Sequence, residues 1–146
     1  MFERQTVTYR RPMKSIDIRA IVLATLAVFG IDFVTGIVLF SVFTDQVANA
    51  SDEQVRAAAA ALATDPGYLR AALILGTAST VVGGFLVARI ARSIPYFNAL
   101  AYGVLGMLLS TLTTGELPTW FRVVGIGLTV PASLLGAYFG RRPLSK

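Results

Sequence analysis

Four long runs of apolar residues divide the chain, and short polar segments separate them. A helix needs about 20 apolar residues to cross the hydrocarbon core of a bilayer. The sequence therefore predicts four membrane-spanning helices, at residues 20–43, 68–91, 96–114 and 120–140. Because the last three are joined by short connections, we expect antiparallel neighbours in an all-α, four-helix bundle.

The longest polar segment, between the first two runs, carries its own helix signal. Ser51-Asp52-Glu53-Gln54 matches a capping box, in which the serine side chain and the glutamine side chain satisfy each other's backbone N–H groups. An alanine-rich stretch follows, and Asp65-Pro66-Gly67 then interrupts it. The pattern predicts a short extracytoplasmic helix at residues 52–63, outside the membrane.

Basic residues are distributed unevenly between the two sides that four spans create. One side carries ten of them and the other carries three, Arg56, Arg70 and Arg122. Since cytoplasmic segments of membrane proteins are enriched in Lys and Arg, both termini are predicted to be cytoplasmic, as tails at residues 1–19 and 141–146. The ten residues on the predicted cytoplasmic side are Arg4, Arg10, Arg11, Lys14, Arg19, Arg89, Arg92, Arg141, Arg142 and Lys146.

Composition narrows the chemistry that the chain can perform. Hydrophobic residues make up 55% and charged residues 14% of the sequence, and histidine and cysteine are both absent. Disulfides, thiol chemistry and histidine catalysis are therefore excluded. The net charge of +5 comes from residues that flank apolar runs, which favours membrane insertion over nucleic-acid binding. We expect no cofactor, no metal site and no nucleic-acid partner, with membrane lipid as the surroundings.

Asp32 is the one charged residue deep inside a predicted span. Thr25 and Thr35 share its helical face, and Thr77 and Thr80 are expected at a similar depth on the second span. Intramembrane carboxyl groups often mark proton or cation pathways. The alternative is a neutral aspartic acid that holds helices together through hydrogen bonds. The sequence leaves both interpretations open.

Small residues recur at the ends of the second and fourth spans. Gly84 and Ala88 precede Arg89 as Gly136 and Gly140 precede Arg141, at an offset of 52 residues, which hints at an internal repeat of two hairpins. Together with Gly83, these residues predict close helix packing, either inside one bundle or across a homodimer. In the fourth span, Pro131 predicts a kink, because it cannot donate a backbone hydrogen bond.

The chain resembles a loose group of small bacterial four-span inner-membrane proteins without an assigned function. The resemblance covers most of residues 45–142 and implies the bacterial cytoplasmic membrane as location; it supplies no catalytic residues. The residues that carry the resemblance are Ser51-Asp-Glu-Gln, Asp65-Pro-Gly67, Gly83-Gly84, Ala88-Arg89-Ile-Ala-Arg92, Pro131 and Gly136.

Two functions are consistent with these features. The first is a non-enzymatic accessory or scaffold subunit that works through helix packing with itself or another membrane protein. The alternative is a small oligomeric channel or transporter with Asp32 as its proton or cation site. An intramembrane enzyme is disfavoured, because Asp32 is a lone intramembrane carboxyl group where a catalytic dyad would need two.

Overall fold

A computed structural model describes residues 16–44, 51–91, 93–113 and 117–141 of the chain. Every regular element among these residues is an α-helix, which confirms the predicted all-α class. Three of the helices, α1, α3 and α5, are long and apolar enough to cross a membrane; α4 is not among them. The five helices are α1 (Ile18–Phe43), α2 (Asp52–Leu62), α3 (Pro66–Ile90), α4 (Pro95–Thr113) and α5 (Thr119–Gly140).

The four predicted spans coincide with α1, α3, α4 and α5, with ends that differ by two residues or fewer. The predicted terminal tails fall mostly outside the described residues, as do Arg92 and Arg142 of the predicted basic clusters. The orientation of the chain and its insertion into a membrane therefore remain predictions.

Side-chain caps fix where α2 and α3 begin. The Ser51 hydroxyl accepts from the Gln54 N–H, and the Gln54 side chain accepts from the Ser51 N–H at 2.8 Å, so the predicted capping box forms. Helix α2 then ends at Leu62. Pro66 and Gly67 were expected in the break, but they occupy the first turn of α3. The reason is that Asp65 caps this helix at 2.6 Å from the Tyr68 nitrogen, and proline is well tolerated at the first helical position.

Helix α3 lies at the centre of the packing and contacts α1, α4 and α5. The main cluster of buried residues lies at one end of the structure, where α1 and α4 begin and α3 and α5 end, whereas Leu39, Leu62 and Leu69 are buried near the other end. We call the end with the main cluster the closed end. Its core consists of Ile21, Ala24, Val87, Ala88, Ala99, Tyr102 and Ala137.

Glycines set the distance between α3 and α5. A methyl group added to Gly84 would overlap the backbone carbonyl of Ser133, and one added to Gly136 would overlap the backbone of Val81 and Phe85. Gly140 likewise lies against the Phe85 backbone. The two small-residue motifs therefore meet each other inside one chain, and neither is presented to a second copy.

Two buried polar side chains tie the closed end together. Asn98 is fully buried; its Oδ1 accepts from the Asp17 N–H at 2.7 Å, and its Nδ2 donates to the Ser93 carbonyl at 2.8 Å. These bonds link the start of α1 to the turn before α4. The fully buried Ser133 hydroxyl donates to the Ala99 carbonyl at 3.0 Å, which links α5 to α4.

Candidate ligand-binding cavity

The other end of the structure, where α3 and α5 begin, we call the open end. Two adjoining cavities of about 200 and 320 Å³ occupy the space between the four long helices. Four polar residues line both cavities: Asp32 from α1, Thr80 from α3, Ser110 from α4 and Thr129 from α5. Each long helix thus contributes one side chain to a shared polar centre.

Asp32 lies at the middle of α1 and points toward α3. The buried Ser79 side chain lies beside its carboxyl group and donates its proton to the Gly76 carbonyl at 2.9 Å. The Asp32 side chain is exposed, because the cavities leave much of it uncovered. The carboxyl group is therefore open to a ligand in the cavities.

The threonine hydroxyls around Asp32 donate to their own helices. Thr77 donates to the Leu73 carbonyl at 2.7 Å, and Thr80 donates to the Gly76 carbonyl at 2.8 Å. On α5, Thr129 donates in the same way to a carbonyl one turn earlier, at 2.9 Å. A hydroxyl that has used its only proton presents lone pairs to its surroundings. The cavity centre is therefore built mainly from hydrogen-bond acceptors.

The smaller cavity extends toward the first turns of α5. Arg122 lines it there and is exposed, beside Phe121. The remaining wall is mostly aliphatic, with Leu73 and Ile126 among its members. Charged groups in the lining of the two cavities are thus one carboxyl group near the centre and one guanidinium near the open end.

Toward the closed end, Tyr102 forms the floor of the larger cavity. Its hydroxyl lies directly against Gly83, where an added methyl group would overlap it. Below this contact, Gly103 packs on the Ser133 side chain. Among the described residues, Tyr102 therefore has the polar cavity on one side and the close-packed core of the closed end on the other.

Four of the five polar residues that sequence predicted as a site come together here. Thr25, Asp32, Thr77 and Thr80 each line one or both cavities, whereas Thr35 lines neither. Sequence reasoning did not assign Tyr102 or Arg122 to this site, and the positions of four helices relative to one another were needed to find them. The helix-packing residues Gly83, Gly84, Ala88, Gly136 and Gly140 lie apart from the cavities, in the buried closed end.

The predicted kink residue, Pro131, lies within α5, which continues from Thr119 to Gly140 without a break. On either side of this proline, the Thr129 hydroxyl donates to the Gly125 carbonyl, and the Ser133 hydroxyl lies 3.0 Å from the carbonyls of both Ala99 and Val130. Among the described residues, no group of three or more metal-ligating side chains could hold a metal ion. The chain matches no family model, no curated protein and no solved structure.

Proposed function

We propose that the chain is a four-span integral protein of the bacterial cytoplasmic membrane, with both termini in the cytoplasm. Large apolar side chains cover the outside of the long helices; Phe29 is 72% and Leu112 is 82% exposed. Such continuous apolar surface is costly in water and suits lipid. Arg19, Arg89 and Arg141 lie at the closed end, on the side to which the sequence assigns ten of the thirteen basic residues, and this favours a cytoplasmic closed end.

Within that membrane, we propose that the cavity is the entry site of a small, non-enzymatic channel or transporter. The observation that carries this proposal is the convergence of Asp32, Thr80, Ser110 and Thr129, one from each long helix, on the same space. A charged side chain at the centre of a span costs about 3 kcal/mol on insertion scales, and such residues commonly line solute or ion pathways. The open end then faces the outside of the cell, and Tyr102 separates the cavity from the cytoplasmic half.

Flux measured across liposomes tests the proposal. Purified protein is reconstituted with an internal pH-sensitive dye and an imposed proton gradient. We expect flux from the native chain and at least a tenfold loss in Asp32→Asn, which keeps the shape of the side chain and removes its charge. Ser41→Ala is the matched control, because Ser41 is an exposed hydroxyl on the same helix that bonds only its own backbone. Equal flux through native and Asp32→Asn protein would refute the role of Asp32.

A second candidate is the accessory or scaffold role, with a homodimer or another membrane protein as partner. Helix α1 favours it, because its half beyond Val28 is largely uncovered by the rest of the chain. Purification in a mild detergent, followed by mass measurement of the intact complex, tests this candidate. A stoichiometric complex that Phe33→Ala weakens, with no flux in liposomes, would favour the scaffold over the transporter.

A further inference from the structure

We propose that the cavity binds a small zwitterion, with a primary ammonium group at Asp32 and an anionic group at Arg122. The inference rests on the proposed function of the cavity as a ligand site and adds the chemical class of its ligand. Asp32 and Arg122 line the same cavity, and their charges are opposite.

The acceptor-rich centre selects the ammonium end. Hydroxyl groups share the cavity with the Asp32 carboxyl group, and the hydroxyls of Thr77, Thr80 and Thr129 donate their protons to backbone carbonyls. A ligand in this place must donate hydrogen bonds. A primary ammonium group has three donors and a positive charge, whereas a quaternary ammonium group has the charge and no donor. The site should therefore reject a trimethylated analogue of its ligand.

The size of the cavity favours an organic molecule over a bare ion. A volume of about 200 Å³ would hold about seven waters at about 30 Å³ each. A dehydrated monovalent cation is far smaller and needs oxygen ligands around it at close range. Aliphatic side chains such as Leu73 and Ile126 make up much of the wall and suit the carbon chain of a small amphiphilic solute.

Arg122 selects the anionic end. It precedes Thr129 by seven residues on α5, so it lies about 10 Å farther toward the open end at 1.5 Å per residue. A guanidinium binds carboxylate or phosphate through two parallel hydrogen bonds. A ligand with positive charge alone would be repelled by this residue on entry. A molecule with both charges, separated by a short carbon chain, satisfies both ends.

Two sources supply this chemistry, a free ω-amino acid and the headgroup of an ethanolamine phospholipid. Both contain a primary ammonium group and a nearby anionic group. Choline phospholipid carries the same net charge without the N–H donors, and it serves as the comparison that separates donor recognition from charge recognition.

Calorimetric titration of the detergent-solubilised protein tests the proposal with four probes of one chain length. These are 5-aminopentanoate, pentylamine, pentanoate and 5-(trimethylammonio)pentanoate. We expect 5-aminopentanoate to bind at least tenfold more tightly than each of the other three. Arg122→Gln should reduce its affinity to that of pentylamine, and Asp32→Asn should reduce it to that of pentanoate. Arg70→Gln is the matched control, because Arg70 is an exposed arginine near the open end that lines neither cavity.

The outcomes distinguish this inference from the function on which it rests. If pentylamine binds as tightly as 5-aminopentanoate, and Arg122→Gln changes neither affinity, the zwitterion is refuted while the cation site at Asp32 stands. If 5-aminopentanoate does not bind and Asp32→Asn leaves flux unchanged, both proposals fail. Competition with 5-aminopentanoate by ethanolamine phospholipid, and not by choline phospholipid, in nanodiscs assigns the ligand to the lipid headgroup; competition by neither assigns it to a free solute.

Discussion

Gly84 on α3 lies directly against the backbone carbonyl of Ser133 on α5, so the two helices touch backbone to backbone. The contact has a counterpart. Gly136, three residues after Ser133, lies against Val81, three residues before Gly84. Each pair of equivalent positions is separated by 52 residues, the offset of the repeat suggested by the sequence. The two parallel helices therefore cross where a glycine of each helix packs against the backbone of the other.

The first prediction follows from this crossing. Gly84→Ala should destabilise the protein by about 1–3 kcal/mol, since an added methyl group in a packed core must displace its neighbours, here a backbone carbonyl. Gly76→Ala on the same helix has open space around the added group and should be neutral or stabilising by up to about 1 kcal/mol, because alanine favours helix. Thermal unfolding in detergent measures both. Equal melting temperatures for the two variants would contradict the close crossing.

The second prediction concerns the buried amide of Asn98. Asn98→Ala removes the acceptor of the Asp17 N–H and the donor to the Ser93 carbonyl. Leaving buried polar groups without partners costs about 1–3 kcal/mol each, so we expect a lower unfolding temperature and faster hydrogen exchange at the start of α1. Ser41→Ala, which removes an exposed hydroxyl, should change neither. Unchanged exchange at residues 17–21 in Asn98→Ala would contradict the linkage between α1 and the turn before α4.

The helices were predictable because their signals are local. Apolar runs and the Ser51 capping box each depend on adjacent residues, and the helix ends agree to within two residues. Pro66 was misplaced because proline signals both a break and a helix start, and only the bond from the Tyr68 N–H to Asp65 decides between them.

The cavity was only partly predictable, since helices in lipid are apolar on every face and their pattern does not show which face is inward. Asp32, Thr77 and Thr80 were found because polar residues stand out in such helices. Arg122 was missed, because a basic residue near a span end is also typical of the membrane interface. Tyr102, near the middle of α4, was missed because the sequence does not show which face of this helix is inward. The place of both residues in the site depends on how the helices are arranged relative to one another, which no single helix encodes.

The third prediction tests the orientation of the chain. The sequence contains no cysteine, so a single cysteine introduces a unique label. Thr64→Cys, in the exposed turn between α2 and α3, should react with a membrane-impermeant maleimide in intact cells. Ser93→Cys and Ser145→Cys should react only after the cells are permeabilised. Labelling of Ser93→Cys from outside would overturn the four-span, termini-inside topology.

The final prediction uses stability to separate the two interpretations of Asp32. If this residue served to hold helices together, Asp32→Leu would destabilise the protein. The structure places the Ser79 side chain beside it, but that hydroxyl donates to the Gly76 carbonyl at 2.9 Å, and much of the Asp32 side chain is uncovered. Even one neutral hydrogen bond would contribute only about 1 kcal/mol to stability.

Little stability is lost with the carboxyl group, so Asp32→Leu should unfold at the same temperature as the native protein or slightly higher. A stabilising change that abolishes function is typical of residues kept for binding rather than for folding. We therefore expect Asp32→Leu to be a well-folded protein without ligand binding or flux, measured by thermal unfolding and liposome assay on the same preparation. Ser133→Ala provides the contrast, because the fully buried Ser133 bonds the Ala99 carbonyl and its loss should lower stability while leaving the cavity lining intact. A fall in the unfolding temperature of Asp32→Leu as large as that of Ser133→Ala would show that Asp32 is a structural residue.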